Sequence, residues 1–177
     1  MKVHEKHKAM AHQDLNIALI VVSTTRYHEA VEGKESTDKT ISLVEELVAP
    51  FPNILLELAE IIPDEEEQIK DMLKVTQTEK IDCVIFSGGT GLTPKDFTYE
   101  TIQPLFEKEL PGFGELFRQL SYEEIGSSAM LSRATAGKID RRAVFLLPGS
   151  PNAVKLALNK LILPELPHMV AMIRKEE

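Results

Sequence analysis

The sequence predicts an α/β protein: a doubly wound, mostly parallel sheet with helices on both faces, in a single domain. Three observations carry that expectation. Short runs such as "NIALIVV", "IDCVIF" and "RRAVFLL" are apolar almost throughout, as strands buried on both faces are. Segments of helical spacing separate them. Two of the runs end in glycine-bearing turns, at the place where such sheets bind ligands.

The elements follow in order. Residues 1–14, "MKVHEKHKAMAHQD", are polar and carry His4, His7 and His12, which invite a metal site but read more simply as a mobile arm. The domain is expected over residues 15–177. "NIALIVVS" forms the first strand, ending at Ser23, and "TTRYHEAVEGKES" a polar loop long enough to be functional or mobile. Ile41, Val44, Leu47 and Val48 place a helix over 38–49, ended by Pro50 and Pro52. "NILLELAEII" is the second strand. Ile69, Met72, Leu73 and Thr76 give a helix over 64–79, and "IDCVIF" is the third strand. Two helical segments, 98–108 and 112–124, follow, bent by Pro104 and separated by Pro111-Gly112. "RRAVFLLPG" is the fourth strand. A last long helix runs from Val154 to near Pro164, with a shorter piece over 166–173.

Composition narrows the function. The 177 residues are 43% hydrophobic and 27% charged, with net charge −8. That balance belongs to a globular domain and gives no basic face for nucleic acid. Cys83 is the only cysteine, which excludes an intrachain disulfide and a thiolate metal cage. The apolar run Ile17 to Val22 is too short to span a bilayer, and the N-terminal segment lacks a signal-peptide core, so a cytoplasmic location is expected.

The candidate site lies in "SGGTGLTPKD". Ser87, Gly88, Gly89, Thr90 and Gly91 end the third strand. Glycines there can take positive φ and turn successive N–H groups toward a phosphate or carboxylate, with Thr90 adding a hydroxyl. A tight turn without a guest accounts for the same residues. The P-loop ending and the dinucleotide fingerprint are both absent. Pro148, Gly149, Ser150 and Pro151 end the fourth strand in the same way, and Ser150 followed by Pro151 is also a complete helix cap. Asp64 can cap the helix after it with Glu67, and Asp96 can close a turn with Thr93. Each also lies just past a strand end, where a Mg²⁺-binding carboxylate would stand beside phosphate. Glu65 to Glu67 read as a solvated helix face. Ser132 and Arg133 form a further polar island suited to an anion.

Taken in order, "SGGTGLTPKDFT", "PGFGELFRQLSYEEIGSSAMLSRATAG" and "FLLPGSPNAV" resemble the molybdopterin adenylyltransferase family of MoaB/MogA type, which includes the G domains of gephyrin and plant Cnx proteins. The resemblance spans residues 14 to 164, and "SYEEIG" leans toward the MoaB branch. It implies a reaction of Mg-ATP with molybdopterin that yields adenylylated molybdopterin and pyrophosphate, ahead of molybdate or tungstate insertion. It implies a homotrimer or homohexamer, with the metal-insertion enzyme of the pathway as a partner. Asp64 and Asp96 match the family's essential acidic positions and become the catalytic, Mg²⁺-holding pair. Ser23, Ser87, Gly88 to Gly91, Lys95, Ser132, Arg133 and Pro148 to Pro151 become contacts for ATP and substrate. The first strand ends Ser23-Thr24 where the family often has Ser-Asp or Ser-Asn, which leaves position 24 without a role. A nucleotide pyrophosphatase like CinA and a non-catalytic oligomeric pterin-binding protein are the alternatives on the same fold.

Overall fold

The computed structural model describes residues 14–78 and 80–175. The arm and its histidines therefore lie outside the described residues, apart from Asp14. The elements are β1 (Leu15–Val22), α1 (Thr24–Val31), α2 (Thr40–Val48), β2 (Ile54–Ile62), α3 (Glu66–Thr78), β3 (Cys83–Ser87), α4 (Thr98–Ile102), β4 (Lys108–Glu109), α5 (Pro111–Ile125), β5 (Thr135–Ile139), β6 (Arg142–Leu147), α6 (Pro151–Ala157) and α7 (Leu163–Arg174).

The sheet has six strands in the order β2-β1-β3-β6-β5-β4. The first four are parallel to one another, and β5 and β4 add antiparallel pairs at one edge. The sheet is mostly parallel, as the sequence predicts, and the antiparallel edge is an addition it does not announce, since the short β4 and β5 carry no long apolar run. β5 turns into β6 through Asp140, which takes a left-handed conformation (φ 51°) that aspartate tolerates.

Strand side chains alternate between two cores. Leu15, Ile17, Leu19 and Val21 of β1, with Ile85 and Phe145, pack under α2, α5, α6 and α7. Ala18, Ile20 and Val22, with Val84, Phe86 and Leu146, pack under α3 and α4 through Ile69, Leu73 and Ile102. Full burial of both faces explains the unbroken apolar strands.

Three elements depart from expectation. The helix read over 98–108 ends at Ile102 and gives way to a 3₁₀ turn over Gln103–Leu105 and to β4, since Pro104 cannot continue the helical ladder. The segment after β1 is helical over Thr24–Val31, capped by Ser23, whose Oγ accepts the Arg26 N–H at 3.4 Å. None of its residues is buried, so it shows no apolar stripe to be read as a helix. The last helix does not stop at Pro164. A π-turn over Leu158–Ile162 joins α6 to α7, which begins at Leu163 with the proline in its first turn. Proline is tolerated there, and the π-turn takes up the change in register. The stretch Pro151–Arg174 is long and apolar enough to cross a bilayer by composition, but its apolar face, Val154, Leu158, Ile162, Leu166 and Val170, is core.

At the amino ends of the strands, Asp82 is nearly buried, accepts the Asn16 N–H at 2.9 Å and pairs with Arg174 of α7. It thereby ties the C-terminal helix to β1 and β3. Asp82→Ala leaves the Asn16 N–H without its acceptor and is expected to cost about 2 kcal/mol, read in urea melts. Unchanged stability would show that this tie contributes nothing.

Candidate functional site

The chain runs from β1 out to β2, then returns across β1 to β3, so the winding reverses between β1 and β3. Loops leaving the carboxyl ends of these two strands diverge and open a crevice. A cleft of about 570 Å³ lies there. Its lining includes Ser23 and Thr24 after β1, Asp64 after β2, Gly88 to Gly91 after β3 and Pro148-Gly149 after β6.

Gly88 takes φ 111°, and a β-carbon on it would collide with the Val22 carbonyl oxygen. Gly89 takes φ 64°, and a β-carbon there would lie 2.7 Å from Asp64 Oδ2. Glycine is therefore required twice, by conformation and by space. The sequence expects all four residues from Gly88 to Gly91 to cradle a ligand. The Gly88 N–H instead donates to Leu147 O at 3.0 Å, continuing the β3–β6 ladder. The N–H groups of Gly89, Thr90 and Gly91 have no acceptor among the described residues, so the nest is these three.

The hydroxyls expected to serve the ligand are otherwise engaged. Thr90 Oγ1 donates to Leu147 O and Ser87 Oγ to Pro148 O, both at 3.4 Å. These bonds lock the two glycine turns together. Ser87 is fully buried, and Ser150 caps α6 by accepting the Ala153 N–H at 3.2 Å, with Pro151 the first helical residue. Ser87, Ser150 and Pro151 do not line the cleft. They shape the turns beneath it.

Asp64 and Asp96 approach the nest from one side. Asp64 Oδ1 accepts the Phe97 N–H at 3.0 Å, and Asp64 donates its own N–H to Thr24 Oγ1 at 3.0 Å. This gives position 24 a role, and it replaces the expected helix cap. Partial burial, with the charges of Asp96 and Glu100, raises the Asp64 pKa above the ordinary carboxylate range, although the Phe97 N–H opposes the shift. Asp96 Oδ2 accepts both the N–H and the hydroxyl of Thr93, at 2.8 and 2.6 Å. The expected cap is present, with Thr93 Oγ1 accepting the Lys95 N–H at 3.4 Å, and Asp96 reciprocates by holding Thr93. Among the described residues, Asp64 Oδ2 and Asp96 Oδ1 have no donor. Among the described residues no three His, Cys, Asp or Glu side chains converge as a closed metal cage. Two carboxylates with one open oxygen each suit Mg²⁺, which keeps water and phosphate in its other positions.

Arg133 lines the cleft but faces the loop. Its Nε donates to Thr90 O at 2.9 Å and its Nη2 to Gly91 O at 2.6 Å. It pairs with Glu100 and lies 4.6 Å from the Tyr99 ring centroid. The predicted anion contact is therefore a staple on the outer side of the nest. Ser132 lines the cleft, with its Oγ accepting the Ala134 N–H at 3.3 Å. Lys95 lines the cleft from an exposed position, and its amine has no partner among the described residues. Sequence reasoning missed Arg26, Thr25, Thr37 and Leu131, which also line it. Arg26 and Thr25 lie in the segment read as a loop, and Thr37 directly follows it.

Comparisons with known proteins identify the family and the fold. The family model described as "Probable molybdopterin binding domain" matches residues 18–168. The chain is 46% identical to molybdenum cofactor biosynthesis protein B of Bacillus subtilis (strain 168), covering 98% of each chain. It is 38% identical to the "Probable molybdopterin adenylyltransferase" of Methanocaldococcus jannaschii, covering 92% of this chain and 96% of the relative. The crystal structure of the tungsten cofactor synthesizing protein MoaB from Pyrococcus furiosus superposes with a TM-score of 0.78 at 38% identity, covering 91% of this chain and 98% of that one.

Proposed function

The chain belongs to the molybdopterin-binding domain family, and from that membership we propose that it is a molybdopterin adenylyltransferase of molybdenum or tungsten cofactor biosynthesis. One observation carries the reading: three unpaired main-chain N–H groups lie beside two carboxylates with open oxygens, in a cleft at the reversal point of the sheet. That is a place for a polyphosphate and its divalent cation.

The substrates are ATP and molybdopterin. A terminal phosphate oxygen of molybdopterin attacks the α-phosphorus of ATP. The new P–O bond forms as the bond to the bridging oxygen breaks, and pyrophosphate leaves with that electron pair. Both nucleophile and leaving group belong to the substrates, so the protein contributes position and charge. Gly89, Thr90 and Gly91 donate to phosphate oxygens. Asp64 and Asp96 would hold Mg²⁺, which supplies charge neutralisation on the triphosphate. Lys95 adds a positive charge at the rim, and Thr24 fixes the loop that carries Asp64.

Assembly into a homotrimer or homohexamer is part of the proposal. Leu116, Tyr122 and Ile125 of α5, and Met130 beyond it, are exposed large apolar side chains on neighbouring segments, a face suited to another copy. The metal-insertion enzyme of the same pathway is the partner that would take the product.

The test is direct. Incubation with molybdopterin and Mg-ATP should yield adenylylated molybdopterin and one pyrophosphate per turnover, and chelation of magnesium should stop it. Cleavage of ADP-ribose-type dinucleotides without AMP transfer would favour the pyrophosphatase reading. Binding of molybdopterin without turnover would favour a non-catalytic protein.

A further inference from the structure

Two guanidinium groups line the cleft, and they are differently engaged. Those of Arg133 are turned onto the backbone of the nest and onto Glu100. Arg26 makes one side-chain contact, from Nη1 to Asp38 Oδ1 at 3.1 Å. A guanidinium has five N–H donors, so the remaining four have no acceptor among the described residues.

Asp38 makes a firm brace. Its side chain is only 5% exposed, and its other oxygen accepts the N–H groups of Thr40 and Ile41 at 3.0 and 2.9 Å, capping α2. The segment between α1 and α2 is held again by Glu29, which accepts both the N–H and the hydroxyl of Thr37 at 3.0 and 2.8 Å. Arg26, a lining residue of the cleft, is therefore fixed at one edge of its planar fork. Phosphate oxygens match such a fork with two parallel hydrogen bonds.

The location selects the guest. The nest, Asp96 and Lys95 all lie on the segment after β3, where the nucleotide and its cation belong under the proposed reaction. Arg26 comes from a different segment, the one after β1, and Thr24 of the same segment accepts the Asp64 N–H. An incoming phosphomonoester must approach an anionic triphosphate, and a cation on its own side offsets that repulsion. We infer that Arg26, braced by Asp38, binds the phosphomonoester of the acceptor substrate and aims its oxygen at the nucleotide. The inference rests on the adenylyl-transfer reading for the identity of the acceptor.

Inorganic phosphate is the first probe, at constant ionic strength in thermal melts of the wild type, Arg26→Ala and Arg26→Lys. A ligand of the folded state raises Tm with its concentration. The apparent affinity for phosphate should fall about tenfold in Arg26→Ala, the scale of a charge-assisted hydrogen bond, and less in Arg26→Lys, which keeps the charge but loses the fork. Equal phosphate responses in all three proteins overturn the inference. Steady-state kinetics then assign the source. In Arg26→Lys, which retains a partner for Asp38, KM for molybdopterin should rise severalfold while KM for ATP stays within about twofold. A rise confined to ATP would overturn the acceptor assignment. Absence of AMP transfer by the wild type would remove the enzymatic reading, and the phosphate titration would still decide whether Arg26 is an oxyanion site.

Discussion

Asp96→Asn is expected to lower the rate of AMP transfer by about 10²–10³-fold, with the fold and oligomer intact. The amide keeps an oxygen that can accept from Thr93, so the turn survives, but the charge facing the nest is lost. Asp64→Asn should act in the same direction, and the two together should cost less than the product of their single effects, since they would share one cation. Asp64 adds a second readout. Its pKa in the folded protein is raised, chiefly by burial. An acid with a raised folded pKa favours the native state at low pH, and that favour is lost as pH rises through the folded value. Ionised Asp64 is thus a liability to the metal-free fold at neutral pH. Asp64→Asn should melt above the wild type at pH 7 without magnesium, and the difference should vanish as pH falls below the ordinary aspartate range, about 4. Activity should fall on the acid side as Asp64 takes up its proton, and added magnesium should push that limb to lower pH. A substituted protein with near-normal turnover would sink the assignment of these carboxylates.

Arg133→Ala should cost about 3 kcal/mol of stability and lower kcat as well. The estimate counts two hydrogen bonds from a charged donor to the loop carbonyls of Thr90 and Gly91, with the partly exposed Glu100 pair adding little. The kinetic effect follows from the backbone. Each carbonyl held by Arg133 belongs to a residue of the nest, so releasing it lets the N–H groups swing off their common target. Arg133→Lys should recover only part, since an ammonium cannot span two carbonyls as a planar fork does. Glu100→Gln should cost less than either. The Glu100 pKa is lowered, first by its hydrogen bond with Arg133, so its contribution is present above the ordinary glutamate range and is lost as pH falls through the depressed value. Urea melts and single-turnover rates for the three variants read both effects. Wild-type stability and rate in Arg133→Ala would remove the staple from the account.

The inner parallel strands β1, β3 and β6 were legible because burial on both faces writes itself as unbroken apolar sequence. β2, at the edge and interrupted by Glu57 and Glu60, was legible from its remaining apolar residues. The antiparallel edge was not. "TAGKI" carries an alanine and a glycine where strand propensity favours β-branched residues, and β4 is two exposed residues. Helix α1 escaped for the opposite reason: it buries nothing, so its sequence is free of any stripe. With it went Arg26, which is indistinguishable in sequence from a surface charge. The turns after β3 and β6 were legible as a pair, since each combines glycine with the end of an apolar strand. The direction of individual bonds within them was not, because a Thr or Ser hydroxyl reaches a ligand or a neighbouring carbonyl with equal ease.

The floor of the cleft is built from peptide groups, and a peptide N–H is the same whatever side chain is attached to it. Drift at position 90 can disturb the loop but cannot rewrite its chemistry. Relatives that share this floor would all accept a phosphorylated compound, and divergence in which compound must come from Arg26, Thr37, Lys95 and Leu131 around it.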